Sequence, residues 1–302
     1  MNPTFSSLVT RFFTSHLGHE RGLSANTIAA YSDGMRLLID YVCRRLDIAP
    51  EGIAADMLTR DLVLDFLDHL EGERGNSIST RNLRLATIKV FFHFLARTVP
   101  ELMHLNECIQ AIRRKKTEHV PPPSLTLKEV HAILAVPKPE DLLGARDKAL
   151  LHMLNNTGAR VQEIADLTIE DIRFENPPMV SLTGKGRKTR LVPLWSETVA
   201  IVKHYLRLRD EHGIDSDHLF LNIGGQPITR FGIARRVKIH ADAAARSCPS
   251  LDGRRITPHV FRHSTALRLI ETGSDIVTVR DWLGHADIRT TSQYLEISVE
   301  RK

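Results

Sequence analysis

The chain has 302 residues, of which 42% are hydrophobic and 25% charged, a balance that excludes disorder over most of its length and suggests about two domains. It holds no stretch near the ~18–20 uninterrupted apolar residues of a membrane helix, its first ten residues lack the basic start and apolar run of a signal peptide, and its scattered cysteines, Cys43, Cys108 and Cys248, suggest neither a disulfide framework nor a cysteine zinc site. A reducing cytoplasmic setting with no membrane partner is the expectation, and the net charge of +5 admits an acidic partner without identifying one.

The first third reads as helices that must bury one another. Phe5 to Leu17 gives the first. From Ser24, whose hydroxyl can accept from a free backbone N–H, Ile28, Tyr31, Met35, Leu38, Ile39 and Val42 recur at steps of three and four, the stripe of an amphipathic helix. Thr59 can cap another with Leu62, Phe66, Leu67 and Leu70. Residues 79–97 give a fourth, with Leu83, Ile88, Phe91, Phe92 and Leu95 on one side. A small helical bundle over 1–112 is the expected outcome. Arg113-Arg114-Lys115-Lys116 and then Pro121-Pro122-Pro123 follow. Proline cannot continue a helix, and three in a row favour an extended spacer, so 113–124 is expected to be a linker. Its basic run fits either contact with a phosphate backbone or a solvated stretch of charge.

The second lobe, 125–302, opens with a helix over 125–136 carrying Leu127, Val130, Ile133 and Leu134, and helical patterns continue to Leu167. The texture then changes. Residues 171–174, 179–182 and 190–194 are short runs of β-branched or alternating residues, separated by Pro177-Pro178 and by Gly184-Lys185-Gly186-Arg187. They predict three antiparallel strands with a glycine-bounded turn. Helical patterns return at 196–212, 229–246, 258–272 and 275–283. The fold class is therefore mainly α with a small antiparallel β-sheet.

The second lobe also carries the chemistry. Arg160, in Thr157-Gly158-Ala159-Arg160, opens a short helix where the dipole disfavours a cation. It either pairs with Glu163 one turn on or offers a planar guanidinium to two phosphate oxygens. Lys185 sits between two glycines at the hairpin tip. Gly186 follows it where a phosphate-binding Walker loop needs Ser or Thr, which leaves a reaching amine or a solvated basic turn. His259, Arg262 and His263 share one helical face after Pro258, and burying that much polarity in a plain core is costly. Paired histidines resemble zinc ligation, but the glutamate of His-Glu-x-x-His is missing and Arg262 would repel a divalent cation. His285 follows Leu283-Gly284, with Gly284 placed as a helix C-cap. Tyr294 stands apart from Tyr31, Tyr41 and Tyr205, which lie on apolar helical faces.

Each of these residues taken singly has a plain structural reading. Together they suit phosphodiester transfer. A tyrosine hydroxyl of pKa ~10 needs cations and a base to attack at neutral pH. Two guanidinium groups can neutralise charge building on phosphorus, and a lysine can protonate the leaving oxygen.

The set Arg160, Lys185, His259, Arg262, His285 and Tyr294 resembles the tyrosine recombinase family, the phage integrases and Xer-type recombinases. The strings Thr-Gly-Ala-Arg-Val-Gln-Glu (157–163), Gly-Lys-Gly-Arg-Lys-Thr-Arg (184–190), His-Val-Phe-Arg-His (259–263) and Leu-Gly-His-Ala (283–286) match it. Gly-Leu-Ser-Ala-Asn-Thr-Ile-Ala-Ala-Tyr (22–31) is similar to the family's helical core-binding, SAM-like domain. One departure is Glu107 after Asn106, where the family often has proline.

The resemblance implies a core-binding bundle and a mixed α/β catalytic domain that form a clamp around duplex DNA. It implies a covalent 3′-phosphotyrosine intermediate and four protomers exchanging strands on paired sites, with a monomer or weak oligomer off DNA. In it Tyr294 is the nucleophile, Arg160 and Arg262 hold the phosphate, and Lys185 is the general acid. His259 takes the Tyr294 proton, and His285 bonds the phosphate. Glu163 supports Arg160, and His263 orients its helix. Arg113, Arg114, Lys115, Lys116, Arg187 and Lys188 are the expected DNA-contacting cations, and neither a metal nor a nucleotide cofactor is implied. Either mobile-element integration or Xer-like resolution fits, with or without a sister recombinase or accessory protein. A nucleoid-associated place in the cytoplasm follows. The alternatives are a type IB-like topoisomerase and a DNA-binding regulator with a dead site.

Overall fold

A computed structural model describes residues 3–117, 122–184, 186, 188–285, 287, 291 and 294. The chain divides into two compact units, Met1–His119 and Val120–Lys302. The architecture is mainly helical with one small antiparallel sheet. None of the helices among the described residues is long and apolar enough to cross a membrane.

The N-terminal unit is a bundle of α1 (Phe5–Arg11), α2 (Ala25–Leu46), α3 (Arg60–Gly72), α4 (Ile78–Thr98) and α5 (Met103–Gln110). Ser24, Thr59 and Ser77 cap α2, α3 and α4, each with its side-chain oxygen accepting from a backbone N–H three residues on. The core is aromatic: Phe12, Phe66, Phe91 and Phe92 are fully buried. Past α1 the helix does not stop at Leu17 but continues in π geometry over Phe12–Glu20, which turns Phe12, His16 and Leu17 inward. Leu83 departs from its expected place. It faces outward at 54% exposure, while Arg81, Asn82 and Leu85 take the buried side of α4. Helix α5 runs unbroken through Asn106 and Glu107, where a proline would have interrupted it.

Buried Arg81 and Asn82 explain how the basic stretch after α5 is held. The Asn82 amide donates to the Lys115 carbonyl at 2.8 Å and its oxygen accepts from the Lys115 N–H at 3.1 Å. The Lys115 ammonium lies 2.7 Å from Glu71, which also pairs with Arg81 at 3.3 Å. Lys115 is therefore bound to this unit's own carboxylates, while Arg113, Arg114 and Lys116 are exposed.

The second unit is built around α7 (Leu142–Thr157), which is buried almost all round and packs against α9 (Ser196–Glu211) and α11 (Pro258–Glu271). Helix α6 (Leu127–Leu134) precedes it, closed by a capping box between Thr126 and Glu129. The chain breaks at Gly158 and restarts as the short α8 (Val161–Ala165). Strands β1 (Ile172–Arg173), β2 (Met179–Thr183) and β3 (Thr189–Pro193) follow in the order β1-β2-β3, all antiparallel. The register sets Val180 opposite both Ile172 and Val192, so the three buried side chains meet on the inner face while Leu191 points out. Helices α10 (Arg230–Ala244) and α12 (Ile276–Leu283) complete the unit. Gly284 closes α12 in the left-handed conformation, φ 64°.

Replacing Asn82 by alanine leaves the Lys115 N–H and C=O without their partners. The expected result is a loss of about 1–2 kcal/mol, with amide hydrogen exchange at residues 113–116 faster than in the parent. Unchanged exchange there would show that Asn82 does not hold the segment.

Candidate active site

The last turn of α12 organises the site. A helix ends with carbonyls that have no partner inside the helix, at the negative end of its dipole. Here three successive carbonyls each receive a guanidinium. Trp282 O accepts from Arg190 Nε at 2.8 Å, Leu283 O from Arg262 Nη2 at 2.7 Å, and Gly284 O from Arg160 Nη2 at 3.1 Å. Arg262 also donates to the Gly158 carbonyl at 2.7 Å, at the break after α7. Only glycine fits at 284, because a Cβ there would lie 2.9 Å from Arg190 Nη1 on a left-handed backbone.

Glu163 ties two of these arginines together. Its Oε1 accepts from Arg160 Nη1 at 2.9 Å and Arg190 Nη1 at 3.0 Å, and its Oε2 from Arg190 Nη2 at 2.7 Å and the Arg160 backbone N–H at 2.9 Å. This answers the oddity of a cation at a helix start, since the carboxylate one turn on neutralises it and caps α8. Burial pushes the Glu163 carboxyl up, but the bonds and charge of Arg190, then of Arg160, outweigh this and hold it below the usual range. A Cβ on Gly184 would come 2.9 Å from Glu163 Oε1, so any side chain just after β2 would push the carboxylate out of its place between the two arginines.

Arg190 is the residue that the sequence reading passed over. It lies in the matched 184–190 string, and its strand gives the signal: it shares the inward face with Val192, and an inward-facing arginine demands a buried acceptor. Arg262 is 2% exposed, and burial, with the Arg160 charge adding, lowers its pKa to about 10. It stays charged at neutral pH.

Two histidines, His259 and His263, share the face of α11 that carries Arg262. His259 and His263 pack edge to face with centroids 4.4 Å apart. His263 Nδ1 lies 2.5 Å from the Tyr294 hydroxyl. The structure thus puts His263, not His259, at the tyrosine oxygen. His285 stacks on the Tyr294 ring at 6.2 Å and bonds the buried Thr291 hydroxyl through Nδ1 at 2.8 Å. Burial, with nearby guanidinium charge, lowers His259 and takes His285 to about 3, so both are neutral at pH 7. Tyr294 is 1% exposed, and burial raises its pKa while Arg262 pulls the other way.

A cavity of about 590 Å³ opens beside this cluster, lined by Arg160, Lys188, Arg190, Arg280 and His285 among others. Lys188 closes the hairpin, its carbonyl accepting from Gly184 N–H at 2.9 Å. Lys185 and Arg187 lie outside the described residues. Arg113, Arg114, Lys115 and Lys116 belong to the other unit. Among the described residues no group of three or more His, Cys, Asp or Glu is placed to hold a metal ion.

Residues 123–301 match the phage integrase family, and residues 11–98 match the phage integrase N-terminal SAM-like domain. The chain belongs to the phage integrase family of tyrosine recombinases. This recombinase is 34% identical to the y4rC protein of Sinorhizobium fredii, covering 99% of the chain and 90% of the relative. It is 35% identical to the tyrosine recombinase XerD of Halalkalibacterium halodurans, covering 93% and 90%. Its fold is shared with the XerH site-specific recombinase solved on a palindromic difH substrate, with a TM-score of 0.75 at 22% identity, over 93% of this chain and 79% of that one.

Because the Glu163 carboxyl sits below its usual range, its stabilising contribution is present above the unfolded value of ~4.3 and is lost as pH falls through the lower folded value. Glu163→Gln removes it at pH 7. The expected loss is about 2–4 kcal/mol, less than for a wholly buried pair because Arg160 is 39% exposed at its side chain. Unfolding curves of the two proteins should converge as pH drops below 4. A constant gap down to pH 2 would show that the carboxylate is not the stabilising group.

Proposed function

We propose that this tyrosine recombinase cuts and rejoins duplex DNA at specific sites through a covalent 3′-phosphotyrosine. The observation that carries the reading is the convergence of Arg160, Arg262 and the buried Tyr294 on one helix end and one face of α11. In this reading a phosphodiester enters the cavity that Arg160 lines and is held between Arg160 and Arg262, both fixed by backbone carbonyls and still offering N–H donors. As Tyr294 Oη bonds to phosphorus, negative charge grows on the non-bridging oxygens, and fixed guanidinium forks stabilise it without rearranging. The bond from phosphorus to O5′ breaks, Lys185 protonates O5′, and a free 5′-hydroxyl remains. Attack by the 5′-hydroxyl of a partner strand reverses the step, so the bond energy is conserved and no nucleotide is consumed.

His285 supports the phosphate in this reading. In it the Thr291 hydroxyl is taken as donor in its 2.8 Å contact with Nδ1, which places the neutral ring's proton on Nε2, free to be donated. The N-terminal unit binds the same duplex, and Arg113, Arg114 and Lys116 add backbone contacts beside Arg187 and Lys188. Paired sites require a tetramer on DNA, with or without a sister recombinase. Integration of a mobile element and Xer-like resolution are both served by this chemistry.

A duplex nicked within the site traps the covalent step. Tyr294→Phe should give no adduct on a denaturing gel while site affinity stays within about twofold, since the ring and its packing remain. An adduct in that variant removes Tyr294 from its role. Arg262→Lys should slow cleavage by ~10²–10³-fold, because the ammonium keeps the charge and loses the fork. A rate within threefold of the parent would make Arg262 structural only.

Salt titration separates the basic stretch. Neutralising Arg113, Arg114 and Lys116 together should reduce the slope of log affinity against log salt by roughly two to three units, equally on matched and unmatched DNA. Neutralising Lys115 alone should leave the slope nearly unchanged, because its ammonium is paired with Glu71.

A further inference from the structure

We propose that His263 is the base that takes the Tyr294 proton during cleavage, which leaves His259 to face the phosphate. This rests on Tyr294 being the nucleophile. The spacing of the His-Val-Phe-Arg-His string does not choose between its two histidines, since both lie on the active face of α11. The structure chooses by contact. The Tyr294 hydroxyl lies 2.5 Å from His263 Nδ1, and among the described residues no other side chain bonds that oxygen. The two rings are tilted at 53° with centroids 5.5 Å apart, so the contact runs through the ring nitrogen and the hydroxyl, not face to face.

The surroundings keep this imidazole ready to accept. It faces His259 and Arg262 on its own helix, Tyr294, and His285 beyond α12. Burial first, then the His259 and Arg262 charges, take its pKa down to about 4. It is neutral at pH 7, and in the bond to Tyr294 the phenol donates and Nδ1 accepts. That weak basicity suits the resting enzyme, because the proton stays on the tyrosine while no substrate is bound. An arriving phosphodiester brings negative charge beside the ring and raises its affinity for a proton. The arginines at the same time favour the phenolate. The step balances: the bond from Oη to phosphorus forms, the phenolic proton passes to Nδ1, and the P–O5′ bond breaks. O5′ takes a proton from the general acid. In the reverse direction the imidazolium returns its proton to the tyrosine.

The two roles open to His263, base or mere anchor, differ in pH dependence. With an internal base, cleavage needs a neutral imidazole and a protonated phenol, a state that persists between the two pKa values. Without it, tyrosinate must form on its own, and its fraction rises about tenfold per pH unit below the phenol pKa. The experiment is single-turnover cleavage of the nicked duplex by the full chain at saturating protein, from pH 6 to 9. The parent should vary by less than about threefold across the range. His263→Ala should be slower by ~10²-fold at pH 7 and climb about tenfold per unit. His263→Asn guards against a folding defect, because its amide oxygen can keep the hydrogen bond while taking no proton, and it should show the same climb. His259→Ala should slow cleavage and keep the flat profile. A flat profile in both His263 variants, whatever their rate, overturns the proposal. So does a steep profile appearing in His259→Ala instead. Adduct formation by Tyr294→Phe on the same substrate would mark failure of the functional reading itself, independently of the pH profiles.

Discussion

Everything in the active site depends on the carbonyls that α12 leaves unpaired. A helix terminus inside a protein must find donors for its last carbonyls or lose stability. This one finds them in three arginines drawn from three elements: Arg160 before α8, Arg190 on β3 and Arg262 on α11. The same bonds do two things. They close the helix, and they fix Arg160 and Arg262 with N–H donors to spare, while Arg190 is taken up by Trp282 O and both oxygens of Glu163. Reorganisation that would otherwise accompany substrate binding is already complete in the folded protein. Gly284 is the hinge of this arrangement, since its left-handed turn presents the Gly284 carbonyl and leaves room for Arg190.

The electrostatics follow from that packing. Three guanidinium groups crowd together with one carboxylate, Glu163, which bonds Arg160 and Arg190 but not Arg262, so the cluster holds an excess of positive charge in a buried place. Histidines nearby respond by staying neutral. Neutral imidazoles serve as donors and acceptors where charged ones would repel the arginines. In the proposed reaction a phosphodiester brings the missing negative charge, and the transition state brings more. The site is thus poorly balanced when empty and better balanced as charge builds on phosphorus, the condition for selective stabilisation of a transition state.

Much of this was legible in the sequence. Polar caps at Ser24 and Thr59 and the alternation at 179–182 and 190–194 mark the helices and the hairpin, and the strings around Arg160, Arg262 and His285 mark the residues that the structure gathers at the α12 terminus. What escaped has physical causes. The π-helical stretch at Phe12–Glu20 shifts the period away from the one that an amphipathic pattern assumes. Leu83 lies outward because Arg81 and Asn82 are buried to hold Glu71 and the Lys115 backbone, and hydropathy alone ranks leucine above both. Arg190 was hidden by its place among other cations, although its inward strand position marks it. Choosing between His259 and His263 needed the location of Tyr294, which arrives from a segment more than 30 residues away and obeys no local spacing.

In the proposed reaction the carbonyls of the α12 terminus hold Arg160 and Arg262 in the positions that receive phosphate. A crystal of the full chain soaked with tungstate, a phosphate analogue that scatters strongly, tests this directly. Tungstate oxygens are expected within hydrogen-bond distance of both guanidinium groups, with the Leu283 and Gly284 carbonyls still bonded to them. Tungstate bound elsewhere, or arginines that leave those carbonyls to reach it, would show that the α12 carbonyls do not set the phosphate site.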